Sequence, residues 1–145
     1  MKERNFSRKY LNYFIVFFCF TICYSCDIFS VAEIVNASQK NILVEIKYDK
    51  ELFVEKYKDK TITYLNKFAN ESGSLKSLDS VNFISIIEMS PKDSLIIEFE
   101  RGYEPHFKLI KEITIYKNDT TVLEKNNFQD LFEEKLDQRF IYDVK

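Results

Sequence analysis

The sequence predicts a mainly β domain of the α+β kind: an antiparallel β-sandwich or open sheet carrying one or two short helices. Three observations predict it. "NILVEIKYD" (Asn41 to Asp49) alternates, with Ile42, Val44, Ile46 and Tyr48 on one face and Glu45 and Lys47 on the other, the pattern of a half-buried strand. Several further short β-branched runs are separated by compact turn signals such as "PKD" and "KNDT". Aromatic residues fall at helical spacing in only one long stretch, Phe53, Tyr57, Tyr64 and Phe68, with Thr61 in the missing place. Strands joined by short turns, with few helices, favour a two-layer antiparallel architecture.

Taken in order, Val31 to Asn36 reads as a strand, and the polar "NASQKN" after it reads as a turn. These two features predict a hairpin with Asn41 to Tyr48. Asp49 is placed to cap a helix covering residues 50–68, broken near Lys58 to Lys60. "KTITYL" carries strand-like β-branched content inside that helix. "ANESGSLKSLDS" (Ala69 to Ser80) is the least ordered stretch by composition. "VNFISIIEMS" and "SLIIEFE" read as an antiparallel pair around the Pro91 turn, with Leu95, Ile97 and Phe99 sharing a face. "RGYEPHF" is a loop, because Gly102 permits unusual backbone angles and Pro105 forbids regular pairing. "KLIKEITIY" is a strand. "NNFQDLFEEKL" is a short helix capped by Asn126 or Asn127, facing the core through Phe128, Leu131 and Phe132, and "RFIYDV" closes the chain as a strand.

The first 25 residues differ from the rest. They start with Lys2, Arg4, Arg8 and Lys9, opposed only by Glu3, and no charge follows from Tyr10 to Ser25. A basic start, an apolar core of about a dozen residues and a cysteine behind a small residue describe an export signal. The apolar run is shorter than the ~20 residues of a spanning helix. The expected organisation is a signal peptide over 1–25, a lipid-anchored N-terminus over 26–30 and one β-rich domain over 31–145. Removing 1–25 takes away four basic residues and one acidic residue. The remainder holds 17 Lys+Arg against 22 Asp+Glu, a net charge of −5. A mildly acidic domain is repelled by phosphate backbones, so no nucleic-acid partner is expected.

All three cysteines, Cys19, Cys23 and Cys26, lie in this region. Their C-x3-C-x2-C spacing matches the cluster loop of radical SAM enzymes, but two of them sit in an uncharged apolar run and the chain is too short for that barrel. Disulfides lack partners in the mature domain. "ICYSC" (Ile22 to Cys26) resembles a bacterial lipobox: Ser25 precedes the modified cysteine, although Cys23 stands where an apolar residue is usual. That resemblance implies a diacylglyceryl thioether at Cys26, cleavage before it and acylation of the new amine. More than one acyl chain gives stable anchoring. An uncleaved anchor and plain secretion are the other readings. "IKYDKELFVEKY", "GYEPHFKLIKEITIY" and "DLFEEKLDQRFIYDV" resemble the small uncharacterised lipoproteins common in Bacteroidota. The resemblance covers most of the mature chain. It implies an exported, anchored, β-rich domain and supplies no catalytic residues.

Little else points to chemistry. His106 in "YEPHF" is the only histidine. One histidine without cysteine partners makes no usual zinc site, and no serine sits in an elbow such as G-x-S-x-G. Gly73 and Gly102 are isolated, so there is no phosphate-cradling loop. No metal or cofactor is expected. Glu98 and Glu100 lie two apart on one strand face, and a solvated outer face explains them most simply. Asn36, Asn70 and Asn118 begin glycosylation sequons, which are chance matches in a bacterial protein. Of 23 aromatic residues, eight fall in the signal and fifteen after it. Tyr103 and Phe107 sit in the Pro-containing loop, where an exposed pair could contact a partner together with His106; plugging the core is the simpler role.

The expectation is therefore a non-enzymatic binding or structural module of the cell envelope, periplasmic or surface-exposed. Acylated Cys26 would hold it to membrane lipid, and an envelope protein is a possible partner. The alternatives are a carboxylate-based envelope enzyme, which needs two acids converging in a cleft, and an inhibitor or immunity-type partner of another protein.

Overall fold

A computed structural model describes residues 28–71, 74–136 and 138–145. Among these the chain is mainly β, with two sheets and short helices. Strands β1 (Phe29–Asn36), β5 (Ser94–Arg101), β8 (Glu133–Leu136) and β9 (Arg139–Val144) form a four-stranded sheet in the order β5-β1-β9-β8. Strands β2 (Ile42–Tyr48), β3 (Ser74–Asp79), β4 (Ile84–Met89), β6 (Ile110–Tyr116) and β7 (Thr120–Glu124) form a five-stranded sheet in the order β3-β4-β2-β6-β7. All pairings are antiparallel except β1 with β9. One core joins both sheets: Ala32, Ile34 and Leu95 from the first pack in the same cluster as Val44, Ile46, Ile87 and Ile113 from the second.

The alternation of β2 is realised as read. Ile42, Val44, Ile46 and Tyr48 are buried, and Leu43, Glu45 and Lys47 face outward. The expected hairpin of β1 with β2 is not formed. β1 is flanked by β5 and β9, and β2 by β4 and β6. Each is a central strand with no edge left for the other. The expected β4–β5 pair fails for the same reason: β4 lies between β2 and β3, while β5 pairs with β1. Both connectors are turns, as their residues predict, but they switch sheets. Asn36 ties them into one corner. Its backbone N–H donates to Asp93 O at 2.9 Å, and its carbonyl accepts from Lys92 N–H at 2.8 Å. Its buried amide donates to Lys40 O at 2.8 Å and to Met89 O at 3.1 Å. A fully buried amide satisfied in this way ties the end of β1 in one sheet to β4 of the other.

Helix α1 (Lys50–Tyr57), a 3-10 turn (Lys58–Lys60) and helix α2 (Thr61–Glu71) occupy the expected helical stretch, with the expected break. Asp49 caps α1 by accepting the Leu52 N–H at 3.2 Å. Lys58 takes a positive φ of 49°, which ends the α-helical run. The aromatic spacing works as read: the Phe53 ring lies 5.0 Å from Tyr57 and 5.6 Å from Phe68, and Tyr57 stacks on Tyr64 at 4.2 Å.

Three elements differ from expectation. Ser74–Asp79, within the stretch that composition makes the least ordered, is the edge strand β3, held by partly buried Leu75 and Leu78 against the core. Thr120–Glu124 is a strand that the sequence reading leaves unassigned. The expected helix over Asn126 to Leu136 is a 3-10 turn (Lys125–Asn127) and a single turn α3 (Phe128–Leu131), and Asn127 makes no side-chain cap bond. Phe128 and Phe132 are buried as expected. Once both rings are seated, the chain leaves the helix so that Glu133 and Glu134 pair with β9.

Candidate functional site

The site is built on a bulge in β5. Ala32 opposes Glu98, but the next residue, Glu33, opposes Ile96, so Ile97 is the extra residue. A bulge reverses the in–out order beyond it. Leu95 and Ile97 are buried as expected, whereas Phe99 turns outward and is 63% exposed. Glu98 and Glu100 turn to the inner side, opposite buried Ala32 and Ser30, and are half-buried. The expected sharing of one face by Leu95, Ile97 and Phe99, and the expected outward face of Glu98 and Glu100, are corrected for this reason. A one-residue slip flips every later side chain.

The loop after β5 closes over these carboxylates. Gly102 takes φ +143°, a conformation L side chains rarely adopt, and its N–H donates to Ile28 O at 2.9 Å, tying the loop to the start of β1. Glu98 Oε2 accepts the Phe107 N–H at 2.7 Å. Glu100 Oε2 lies 3.0 Å from His106 Nδ1, and its Oε1 lies 3.5 Å from Lys108 Nζ. Burial pushes the Glu98 carboxyl up from its ordinary range, and neighbouring Glu100 adds to this, against the opposing Phe107 hydrogen bond. Burial acts on Glu100 in the same sense, but the hydrogen bond with His106 and the charge of Lys108 outweigh it and hold its carboxyl below the ordinary range.

The expected binding residues part company here. Tyr103 is 67% exposed and the His106 side chain 52%. Phe107 is 1% exposed, with its ring centroid 5.0 Å from those of both Phe128 and Phe132. No exposed Tyr103–Phe107 pair exists, because Phe107, at a positive φ of 51°, turns its ring into the core. The plugging role is the one it plays. Cys26, together with the whole expected signal peptide, lies outside the described residues.

Two concavities meet on β5. A groove of about 450 Å³ lies between α2 and β5, lined by Tyr64, Lys67, Phe68, Ile97, Glu98 and Phe99 among others. A smaller recess of about 60 Å³ shares Phe68, Ile97, Glu98 and Phe99 and adds Glu100, Lys108 and Tyr48. Glu98 lines both concavities and Glu100 only the smaller one, so two carboxylates with opposite pKa displacement border the recess beside a largely apolar groove. Glu104 stands outside it and is exposed. Sequence reading missed the groove entirely. Its only signal was the aromatic spacing of the helix, which also serves the core.

Among the described residues no group of three or more His, Cys, Asp or Glu could hold a metal ion, and no helix is long and apolar enough to cross a membrane. Compared with known protein families, curated proteins and solved structures, the chain matches none.

Proposed function

We propose that this chain is an exported lipoprotein, anchored to a membrane of the cell envelope through acylated Cys26, whose β domain is a non-enzymatic binding module. One observation carries the anchoring: a basic start and an uncharged run end at Ser25-Cys26, and the first strand among the described residues begins at Phe29, three residues on. An acylated Cys26 would therefore hold the domain against the bilayer with almost no tether. The module part is supported by the apolar lining of the α2–β5 groove, whose partly buried Tyr64 and exposed Phe99 suit an apolar ligand or a partner's side chains. Membrane fractionation of the full-length protein and of Cys26→Ser tests the anchoring. The wild type should partition into membranes and take up labelled fatty acid, and the variant should do neither. Equal membrane recovery of both, without label, would overturn the reading.

A carboxylate-based enzyme is the second reading. It is favoured by Glu98 and Glu100 lying beside one recess with their carboxyls displaced in opposite directions. Against it, Glu98 is already committed to the Phe107 N–H and Glu100 to His106 and Lys108. Hydrolysis of envelope glycans that disappears in Glu98→Gln would establish this reading over the first.

A further inference from the structure

The outer face of the four-stranded sheet is not uniform. Beyond the β5 bulge it carries Phe99, whose ring stacks on Phe29 at 5.1 Å with 15° between the planes. Phe29 is 42% exposed and Phe99 63%, and half-exposed Ile96 and partly buried Val31 share the same face. At about 150–250 Å² per aromatic side chain, the exposed parts of these residues present roughly 300 Å² of apolar surface, comparable to the largest apolar patch of an ordinary monomer, so it is the position of the patch rather than its size that carries meaning. Charged residues border this patch: Arg101 opposes Phe29, and the Arg139–Glu33 pair lies beside Val31. On the outer face of the five-stranded sheet the exposed Leu43 and Tyr116 are instead separated from further apolar neighbours by Glu45, Lys47, Glu88 and Glu112.

The position of this patch selects its occupant. Phe29 opens the first strand, three residues after Cys26. At about 3.3–3.6 Å per residue an extended link of that length reaches only about 10 Å. A lipid at Cys26 would therefore keep Phe29, and with it the Phe29–Phe99 stack, within about 10 Å of its attachment point at the bilayer surface. Aromatic rings at such a level are well placed to enter the interfacial region. We propose that the Phe29–Phe99 corner of the four-stranded sheet is a membrane-docking surface that lies in the lipid interface and fixes the orientation of the domain. The inference rests on the anchoring at Cys26 proposed above. In this orientation the 101–107 loop, tied to Ile28 through Gly102, stands near the bilayer, and the five-stranded sheet points away from it.

Single tryptophans test it, since the chain has none. Full-length protein carrying Phe99→Trp, or Val81→Trp in the β3–β4 turn of the other sheet, is purified from membranes of the producing cells. It is then reconstituted in phosphatidylethanolamine–phosphatidylglycerol vesicles with or without brominated acyl chains. Flotation of the vesicles is scored first. The Phe99→Trp emission should be quenched by brominated chains several-fold more than that of Val81→Trp, and should be shielded from aqueous iodide. Equal lipid quenching of the two in protein that floats overturns the docking surface and leaves the anchor standing. A Phe99→Trp reporter shielded from both lipid and iodide also overturns it, in favour of a second copy or the chain's own apolar run covering the face. Protein that does not float overturns the anchoring and the docking surface together.

Discussion

Phe107 is the residue at which the loop is fastened to the core, and its removal has a calculable cost. The side chain is 1% exposed and touches two rings at 5.0 Å centroid distance. Phe107→Ala loses the transfer free energy of a buried aromatic, leaves a cavity and removes two ring pairs, together about 3–5 kcal/mol. That is a large fraction of the 5–15 kcal/mol typical of a domain. The backbone supplies a second, independent reading. At φ 51° alanine is as disfavoured as phenylalanine, whereas glycine is not. In a helix, glycine in place of alanine costs about 1 kcal/mol; at position 107 the order should invert, with Phe107→Gly as stable as Phe107→Ala or more so. Urea unfolding of the full-length protein and the two variants, followed by circular dichroism, measures both quantities. A Phe107→Ala loss below about 1.5 kcal/mol, or a glycine variant clearly less stable than the alanine one, would refute the reasoning from burial and backbone strain.

Other consequences are open to the same assay. Glu33 is buried on the outer face of β1, and its Oε1 accepts from Arg139 Nη2 on β9 at 2.6 Å. Arg139→Met strands that carboxylate, and because the Arg139 side chain is 47% exposed the loss should sit near or below the low end of the buried-pair range, about 2–3 kcal/mol. Adding Glu33→Gln should recover most of it, and no recovery would show that the pair is not the cause. Glu98 and Glu100 should respond to pH in opposite senses. A raised carboxyl means that the folded state holds its proton more tightly than the unfolded chain, so stability falls as pH rises from the ordinary glutamate range through the raised value. Glu98→Gln, which can still accept the Phe107 N–H, should therefore gain stability at pH 7, and the gain should fade as pH drops below about 4. Glu100 is lowered, so its contribution is present above the ordinary range and lost as pH falls through the lowered value; Glu100→Gln should lose stability at pH 7. The same sign of change for both at pH 7 would contradict the assignment.

Local signals in this sequence were legible and non-local ones were not. The period of β2, the Asp49 cap, the break at Lys58 to Lys60 and the turn residues around Pro91 and Asn118 each act within a few residues, and each is realised. Which strands pair is set by how many edges each strand offers, and that depends on β9, a strand more than 100 residues from its neighbour β1. The "NASQKN" and "PKD" turns look like hairpin loops, but Asn36 makes them one sheet-switching corner through a carbonyl of β4 and the turn residues Lys92 and Asp93. The site was hidden by a single residue. Strict alternation along "SLIIEFE" puts Phe99 inside and the glutamates outside, and the extra residue at Ile97 reverses both. Nothing in the composition of that strand marks the bulge. Phe107 was legible only as an aromatic in a loop, because the rings that receive it, Phe128 in a short helix and Phe132 just after it, lie more than twenty residues on.

The most direct test of the central claim is the intact mass of the N-terminal peptide of the protein taken from native membranes, beside that of Cys26→Ser. A peptide beginning at Cys26 and carrying the mass of a diacylglyceryl group and an amide-linked acyl chain, absent from the variant, is the predicted result. An unmodified peptide, or one retaining residues before Cys26, would contradict the account.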